Sequence, residues 1–296
     1  MSTGRTSADT DRVDTARWAG LVRRSIPLPG SDVPGTIPPP PSEGARRRGA
    51  RRAALGAVLP LLLLLAWELV TRAGVFSPVQ LPGPAAVVRA GVDLVTRGLL
   101  LPYVGISVQR VLVGFAVGAA LGLAVGALVG LSRPADVLLG PTIGGVRAVP
   151  SLAWVPLLIL WQGIGEDSKT TLIAIGAFFP VYTTAASALR HVDRQLVEAG
   201  RAFGLRGLRL LGAVQLPAAV PGVLAGLRLA LAQGWLFLVA AELIASSMGL
   251  GFLLQDSQNN GRTDRILLAI ILLAVLGKLS DAVIGLFERW ALRRWA

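Results

Sequence analysis

The sequence predicts an all-α integral membrane protein with about six transmembrane helices, and three observations carry that prediction. The 296-residue chain is 53% hydrophobic and 16% charged with a mean hydropathy of +0.63, too apolar for a soluble domain of that length. Its apolar runs reach the ~20 residues a helix needs to cross a hydrocarbon core. Its arginines gather at the edges of those runs, where positive charge decides which loops stay inside. The net charge of +12 lacks the interleaved aromatic surface that binds nucleic acid, so no nucleic-acid partner is expected. With no cysteine there is no disulfide framework, thiolate metal site or cysteine nucleophile. The single histidine, His191, reads as a polar loop residue, and no catalytic residue, metal or cofactor is expected.

Residues 1–52 are basic and Pro-rich, with Pro38 to Pro41 in a row and no apolar periodicity, and read as a disordered cytoplasmic tail. Arg46, Arg47, Arg48, Arg51 and Arg52 then precede the apolar run 53–70. That run is long for a signal segment and no small-x-small cleavage site closes it, so it is an uncleaved first span with the amino terminus inside. Up to residue 104 follows an outer amphipathic segment. Its Arg89, Asp93 and Arg97 recur every four residues, set against Val88, Val92 and Val95, which predicts a helix lying on the outer membrane surface.

The second span, 107–131, carries Gly114, Gly118, Gly122, Gly126 and Gly130 at intervals of four. In lipid such a ladder lets another helix approach closely, so a packing seam is expected. Residues 132–149 read as an inner connection leading into a third span over 149–161, where Pro150 and Pro156 predict a kink or partial unwinding. Residues 163–170 come within one residue of a phosphate-binding loop, but Ser168 stands where the loop needs glycine and no acidic residue on a second buried strand is available for magnesium. The stretch reads as a short outer turn that does not bind ATP, before a fourth span over 170–189.

The hydrophilic loop 190–215 holds Arg190, Arg194, Arg201, Arg206 and Arg209 and must sit in water between spans. Gly204 permits a turn at positive φ, and Pro217 suits the first turn of the next helix. That helix, 216–244, exceeds a core of ~30 Å at ~1.5 Å per residue, so its first turn with Pro217 and Pro221 is interfacial. Gly222 and Gly226 form a second close-packing pair. Arg228, Gln233 and Glu242 lie at membrane depth and must face protein or a water-filled cavity. For Arg228 two roles are open, an anion contact or a structural pair with Glu242 or a backbone carbonyl. Residues 248–264, with Gly249-Leu250-Gly251 and Asn259-Asn260-Gly261, read as a turn-rich outer loop. In the last span, 266–287, Lys278 and Asp281 share a face and either neutralise each other or line a path.

Glu198-Ala199-Gly200, then Gly204, then Val214-Gln215-Leu216-Pro217 resembles the cytoplasmic-loop signature of permease subunits of ATP-binding-cassette importers. That signature is Glu-Ala-Ala, three residues, Gly, nine residues, Ile-x-Leu-Pro. Here Gly200 replaces the second Ala and Val214 the Ile. Pro156-Leu157-x-Ile159-Leu160-Trp161-x-Gly163-Ile164-Gly165-Glu166 and Gly277-Lys278-Leu279-x-Asp281 are similar to the branch that imports aliphatic sulfonates, taurine and nitrate, most of all to the sulfonate permeases.

The resemblance implies a type I importer permease core over 105–296, with alternating access in a bacterial cytoplasmic membrane and both termini inside. It implies a permease homodimer in lipid, two ATP-hydrolysing subunits and an extracytoplasmic binding protein. Glu198, Ala199, Gly200, Gly204, Leu216 and Pro217 would form the loop that couples to the ATPase. The substrate it implies is a small organic anion, aliphatic sulfonates first, with taurine, nitrate or another small solute as alternatives. An ion-coupled secondary transporter using Arg228, Glu242, Lys278 and Asp281 as its relay, or a scaffold without transport, leaves the loop register unexplained.

Overall fold

The computed structural model describes residues 43–295, so the tail expected over 1–52 lies outside them up to residue 42. The chain divides into two units between Leu61 and Leu62, inside the first helix, and the second unit holds all that follows. Among the described residues every regular element is helical. We number them α1 (Glu43–Arg72), α2 (Pro84–Thr96), α3 (Leu100–Leu131), α4 (Arg133–Ala148), α5 (Val155–Gln162), α6 (Glu166–Arg190), α7 (Arg194–Ala202), α8 (Gly207–Leu210), α9 (Leu216–Ala245), α10 (Leu250–Asn259) and α11 (Thr263–Trp295). Four stretches are long and apolar enough to cross a membrane: Leu100–Leu131, Glu166–Arg190, Gly207–Ile244 and Thr263–Arg293. The bent pair Arg133–Ala148 and Ser151–Gln162 makes a fifth if it counts as one span. The expected first span, 53–70, falls in α1.

The centre of the fold is α6, which lies between α3 and α9. All five glycines of the α3 ladder face it. A methyl group on Gly114 would stand 2.6 Å from Ile173 Cβ, on Gly122 2.8 Å from the Phe178 carbonyl oxygen, on Gly126 2.9 Å from that of Tyr182, and on Gly130 2.8 Å from that of Ala186. Gly118 sits equally hard against the Ala174 carbonyl. The packing seam expected from the spacing is therefore a close approach of the α3 glycines to the α6 backbone and to the first carbons of Ile173, Val181 and Leu189. On the other side of α6, Gly222 packs on Ala188, Gly226 on Thr184, and Gly176 lies under the Phe237 ring. Val111, Ile173, Leu231 and Leu238 close the core where the three helices meet.

Several expectations about the segments between the long helices are corrected. The inner connection over 132–149 is itself a helix, α4, whose first turn is capped by the Ser132 hydroxyl accepting from the Ala135 amide (3.4 Å). Pro150 ends it, because a residue before proline is pushed out of the helical region, and Val149 is extended at ψ 124°. After a short 3₁₀ turn at Ser151–Trp154 the chain sets off at 85° to α4 as α5, whose 8 residues cover only ~12 Å. The third segment is thus broken near Pro150, where the kink was expected, and its helical part after the break is shorter than a span.

The outer segment is buried on a face other than the expected one. Val87, Ala90 and Leu94 of α2 pack against Leu250, Leu253, Leu268 and Ala269, whereas Val88, Val92 and Val95 are exposed. Successive residues turn by ~100° in a helix, so Val88 and Val92 stand beside Arg89 and Asp93, not across from them. Asp93 accepts from Arg97 (2.8 Å) and from Arg265 of α11 (3.1 Å), and the hydrogen bond from Arg97 holds its carboxyl below the usual carboxylate range. The outer loop over 248–264, in turn, contains the ten residues of α10, bounded by Gly249 (φ 121°) and Gly261 (φ 64°). Its Gly and Asn clusters mark the two ends of a helix. Likewise only Gly163 to Gly165 turn, and Glu166 already opens α6.

Candidate functional site

The basic loop folds as a short helix, a glycine turn and a second short helix. Asp193 caps α7 by accepting from the Gln195 amide (2.8 Å). At the far end Gly204, at φ 81°, reverses the chain with its amide on the Arg201 carbonyl (2.9 Å) and that of Leu205 on Gly200 (3.0 Å). A four-residue α8 and one wide π turn at Leu211–Gln215 then run into α9, with Pro217 in its first turn. Gly200 is buried, and a methyl group there would lie 2.7 Å from Leu210 Cδ1 and 3.1 Å from Val214 Cγ2. An alanine here would need the ends of those two side chains to shift.

Around α7 the faces differ. Gly200 turns toward the protein, and Val197 is half-buried at the edge of a cavity of about 710 Å³. Arg194, Glu198 and Arg201 line that cavity together with Arg133, Asp136, Arg190 and Gln215. Glu198 accepts from Arg194 (2.8 Å) in an exposed pair. On the remaining side Leu196 is exposed, and beyond it Phe203 and Leu208 are 88% and 85% exposed. Leu196, Phe203 and Leu208 thus leave apolar side chains open beside the arginines of the loop.

Polar groups inside the helical body form two separate networks. In the first, Glu242 is 1% exposed and accepts from Ser107 Oγ (2.8 Å), Arg110 (2.7 Å) and the Gly251 amide (2.7 Å). Arg110 also grips both Glu166 oxygens at 2.6 Å and donates to the Met248 carbonyl (2.6 Å), while Lys169 donates to Glu166 (3.0 Å). The Ser107 hydroxyl in turn accepts from the Leu250 amide (2.9 Å). Two cations thus face two carboxylates, and α3, α6, α9 and α10 are pinned at one point. Arg110, Lys169 and Glu242 are buried and tolerable there because each is paired and hydrogen-bonded, while Glu166 is more than half exposed. Sequence reasoning passed over Arg110. The available signal was that it is the one charge in the apolar run 107–131, and an ionisable residue there needs a partner.

The second network joins α9 to α11. The Arg228 guanidinium donates to both Asp281 oxygens (2.8 and 3.0 Å) and to Glu288 (3.2 Å), and Lys278 reaches Asp281 at 3.4 Å. The expected alternative of an Arg228–Glu242 pair is overturned, since the two lie fourteen positions apart on one helix, roughly 21 Å at ~1.5 Å per residue, and each has its own partners. A relay of Arg228, Glu242, Lys278 and Asp281 is likewise not what the fold builds, because Glu242 belongs to the other network. Gln233 is half-buried on a different face of α9 from Arg228.

Residues 114–293 match the family described as the binding-protein-dependent transport system inner membrane component. The chain is 38% identical over 266 residues to the putative aliphatic sulfonates transport permease protein SsuC of Bacillus subtilis (strain 168), across 89% of this chain and 96% of that one. To the protein of the same description in Escherichia coli (strain K12) it is 44% identical over 235 residues, 79% of this chain and 89% of that one. The taurine transport system permease protein TauC of the same strain is 34% identical over 245 residues, 81% and 89% of the two chains. Among solved structures, an inward-facing form of the MetNI methionine ABC transporter shares the fold, with a TM-score of 0.57 at 22% identity over 68% of this chain and 98% of that one. A family match over more than half the chain, relatives aligned along nearly their whole length and the helical core described above agree: the chain belongs to the inner membrane components of binding-protein-dependent transport systems, as a multi-pass permease of the type I fold.

Proposed function

We propose that this permease forms the path of an ATP-driven importer for aliphatic sulfonates, acting as a homodimer with two separate ATP-hydrolysing subunits and an extracytoplasmic binding protein. The observation that carries the reading is the loop from Glu198 to Pro217. Its helix, glycine turn and helix leave Leu196, Phe203 and Leu208 open for a partner, and the packing of Gly200 on Leu210 and Val214 ties α7 to the start of α9. A push on the docked loop, made of Glu198, Ala199, Gly200, Gly204, Leu216 and Pro217, is in this way delivered to α9, which carries Arg228 at membrane depth. Nothing in the chain is assigned covalent chemistry. The path uses the Arg228, Lys278 and Asp281 face, while Glu242 is structural and Gln233 has no assigned part. The protein sits in the bacterial cytoplasmic membrane with both termini inside, its exposed apolar helix faces covered by lipid and by the second copy.

Sulfonate is chosen because the relatives at 38% and 44% identity are described as aliphatic sulfonate permeases. Taurine is the second reading, supported by the 34% identical taurine permease. Growth of a deletion strain lacking redundant importers, on alkanesulfonates as sole sulfur source and on sulfate, tests this. Loss of growth on alkanesulfonates alone is expected, and a defect confined to taurine or to nitrate use moves the protein to a neighbouring branch.

A further inference from the structure

We propose that Lys278 is the cation that receives the anionic group of the substrate in the cytoplasmic half of the path. The inference rests on the importer reading above and adds to it the residue that recognises charge. It also moves that role away from Arg228, the candidate the sequence suggests.

Depth comes first. Lys278 lies fifteen positions into the 33 residues of α11, roughly 22 Å along the helix at ~1.5 Å per residue. In a hydrocarbon core of ~30 Å that begins at the first turn of α11, this leaves ~8 Å to the far boundary and places the ammonium in the half of the span nearer the basic end of the helix. Yet the side chain is 80% exposed. A charged group so placed meets water, protein or a headgroup, and not the hydrocarbon itself.

The charge account then separates the two cations. Arg228 is spoken for, with its guanidinium fixed on both oxygens of Asp281 and on Glu288. Lys278 has one contact, at 3.4 Å, to an Asp281 oxygen that already accepts from Arg228. Its other donors find no acceptor among the described residues. Around the adjoining cavity of about 390 Å³, Arg228, Lys278 and Arg289 stand against Asp281 and Glu288, three cations to two carboxylates.

Geometry makes this a groove and not a patch. Lys278, Asp281, Ala282, Gly285, Glu288 and Arg289 recur at three and four positions, so they form a single face of α11 that runs from membrane depth to its basic carboxyl-terminal end. Ala282 and Gly285 keep the space between the charged rungs open. At Gly285 even an added methyl would touch the Arg228 guanidinium at 3.9 Å. An oxyanion with three oxygens entering this groove meets an ammonium whose donors are free to turn. A compact, hydrated point charge holds such a group without demanding one geometry, and so releases it. A path needs contacts strong enough to admit the solute and weak enough to let it leave.

The chain has no cysteine, which makes a charge-restoration experiment direct. In the whole importer reconstituted with its ATPase and binding protein, K278C is expected to transport an alkanesulfonate about tenfold more slowly, the factor that ~1.4 kcal/mol of lost stabilisation gives. ATP hydrolysis stimulated by loaded binding protein should persist. Reaction with 2-aminoethyl methanethiosulfonate, which attaches an ammonium through a disulfide and releases methanesulfinate, should restore most of the rate. The 2-sulfonatoethyl reagent should not. Alkanesulfonate on the cytoplasmic side should slow labelling of the K278C protein, and an uncharged sulfone should not. Undiminished transport by K278C, equal recovery with both reagents, labelling indifferent to alkanesulfonate, or loss of stimulated hydrolysis together with transport each overturns the assignment. If the unmodified importer moves no small anion at all, the importer reading itself has failed, an outcome distinct from any of these.

Discussion

Arg110 reaches Glu242 across 132 positions of sequence, guanidinium nitrogen to carboxylate oxygen at 2.7 Å, with 4% and 0% of the two side chains exposed. No other described ion pair has both members so deeply buried, and it fastens α3 to α9 where Glu166 and α10 also converge. Removing Arg110 leaves the Glu242 carboxylate buried with no cation, which costs about 3–5 kcal/mol, whereas removing Glu242 leaves Arg110 on Glu166. Arg110→Met should therefore lower the unfolding temperature of the detergent-solubilised protein sharply, and Glu242→Leu should lower it less. The double substitution should be less destabilised than the sum of the two. Additive losses in a double-mutant cycle would show that the pair contributes nothing as a pair.

The glycine ladder makes a second and more local claim. A side chain at Gly122 or Gly126 strikes the α6 backbone at under 3 Å, so Gly122→Val should cost at least the ~1–3 kcal/mol of an overpacked core and reduce the folded yield. Gly105, in the same helix, has nothing within 4 Å of the corresponding position. There alanine removes a helix penalty of up to ~1 kcal/mol, so Gly105→Ala should be neutral or slightly stabilising. Equal losses at Gly122 and Gly105 would mean that the seam is not where α3 meets α6.

The features visible in the sequence are those written in local spacing. Glycines four apart must share a helix face, whatever helix they meet, and Gly204 can turn the chain on its own. The Arg110–Glu242 pair leaves no such local mark, because its members lie in different helices and only the fold brings them together. For the bent third segment the prolines did signal a break, yet they carried no information that the residues before it, 133–148, are helical too. In α10 the glycines and asparagines that end a helix were taken together as one loop, since turn signals do not say whether the ten residues between them are coiled. The substrate path was the least legible part. Arg228, Lys278 and Asp281 are recognisable as costly at membrane depth, but which cation remains uncompensated depends on distances between two helices.

The basic loop gives a prediction in which folding and coupling separate. Phe203 and Leu208 are almost fully exposed, so Phe203→Ser and Leu208→Ser should change the free energy of unfolding by no more than about 0.5 kcal/mol. Both should weaken co-purification of the ATPase. Gly204→Val differs in kind, because a β-branched residue at φ 81° strains the turn by about 1–2 kcal/mol and tilts α7 against α9. Glu198→Lys breaks only an exposed pair with Arg194, worth at most ~1 kcal/mol, so any loss of uptake it causes is a loss of coupling. Normal ATPase association and normal stimulated hydrolysis in all four variants would remove the loop from the coupling mechanism.

Every one of these assignments depends on which side of the membrane the loop faces, and the absence of cysteine allows that to be tested one residue at a time. Gln195 lies exposed in the first turn of α7 and Asn260 lies exposed just beyond α10, with the α9 span between them. By the excess of positive charge on inner loops, the arginines of the loop predict a cytoplasmic α7. A single crossing by α9 then puts Asn260 outside. An impermeant maleimide added to intact cells whose outer permeability barrier has been opened should label Asn260→Cys readily. It should reach Gln195→Cys only after the cytoplasmic membrane is permeabilised. The reverse pattern would turn the permease over, leaving Phe203 and Leu208 on the side where no ATP is available and ending the coupling assignment along with the orientation.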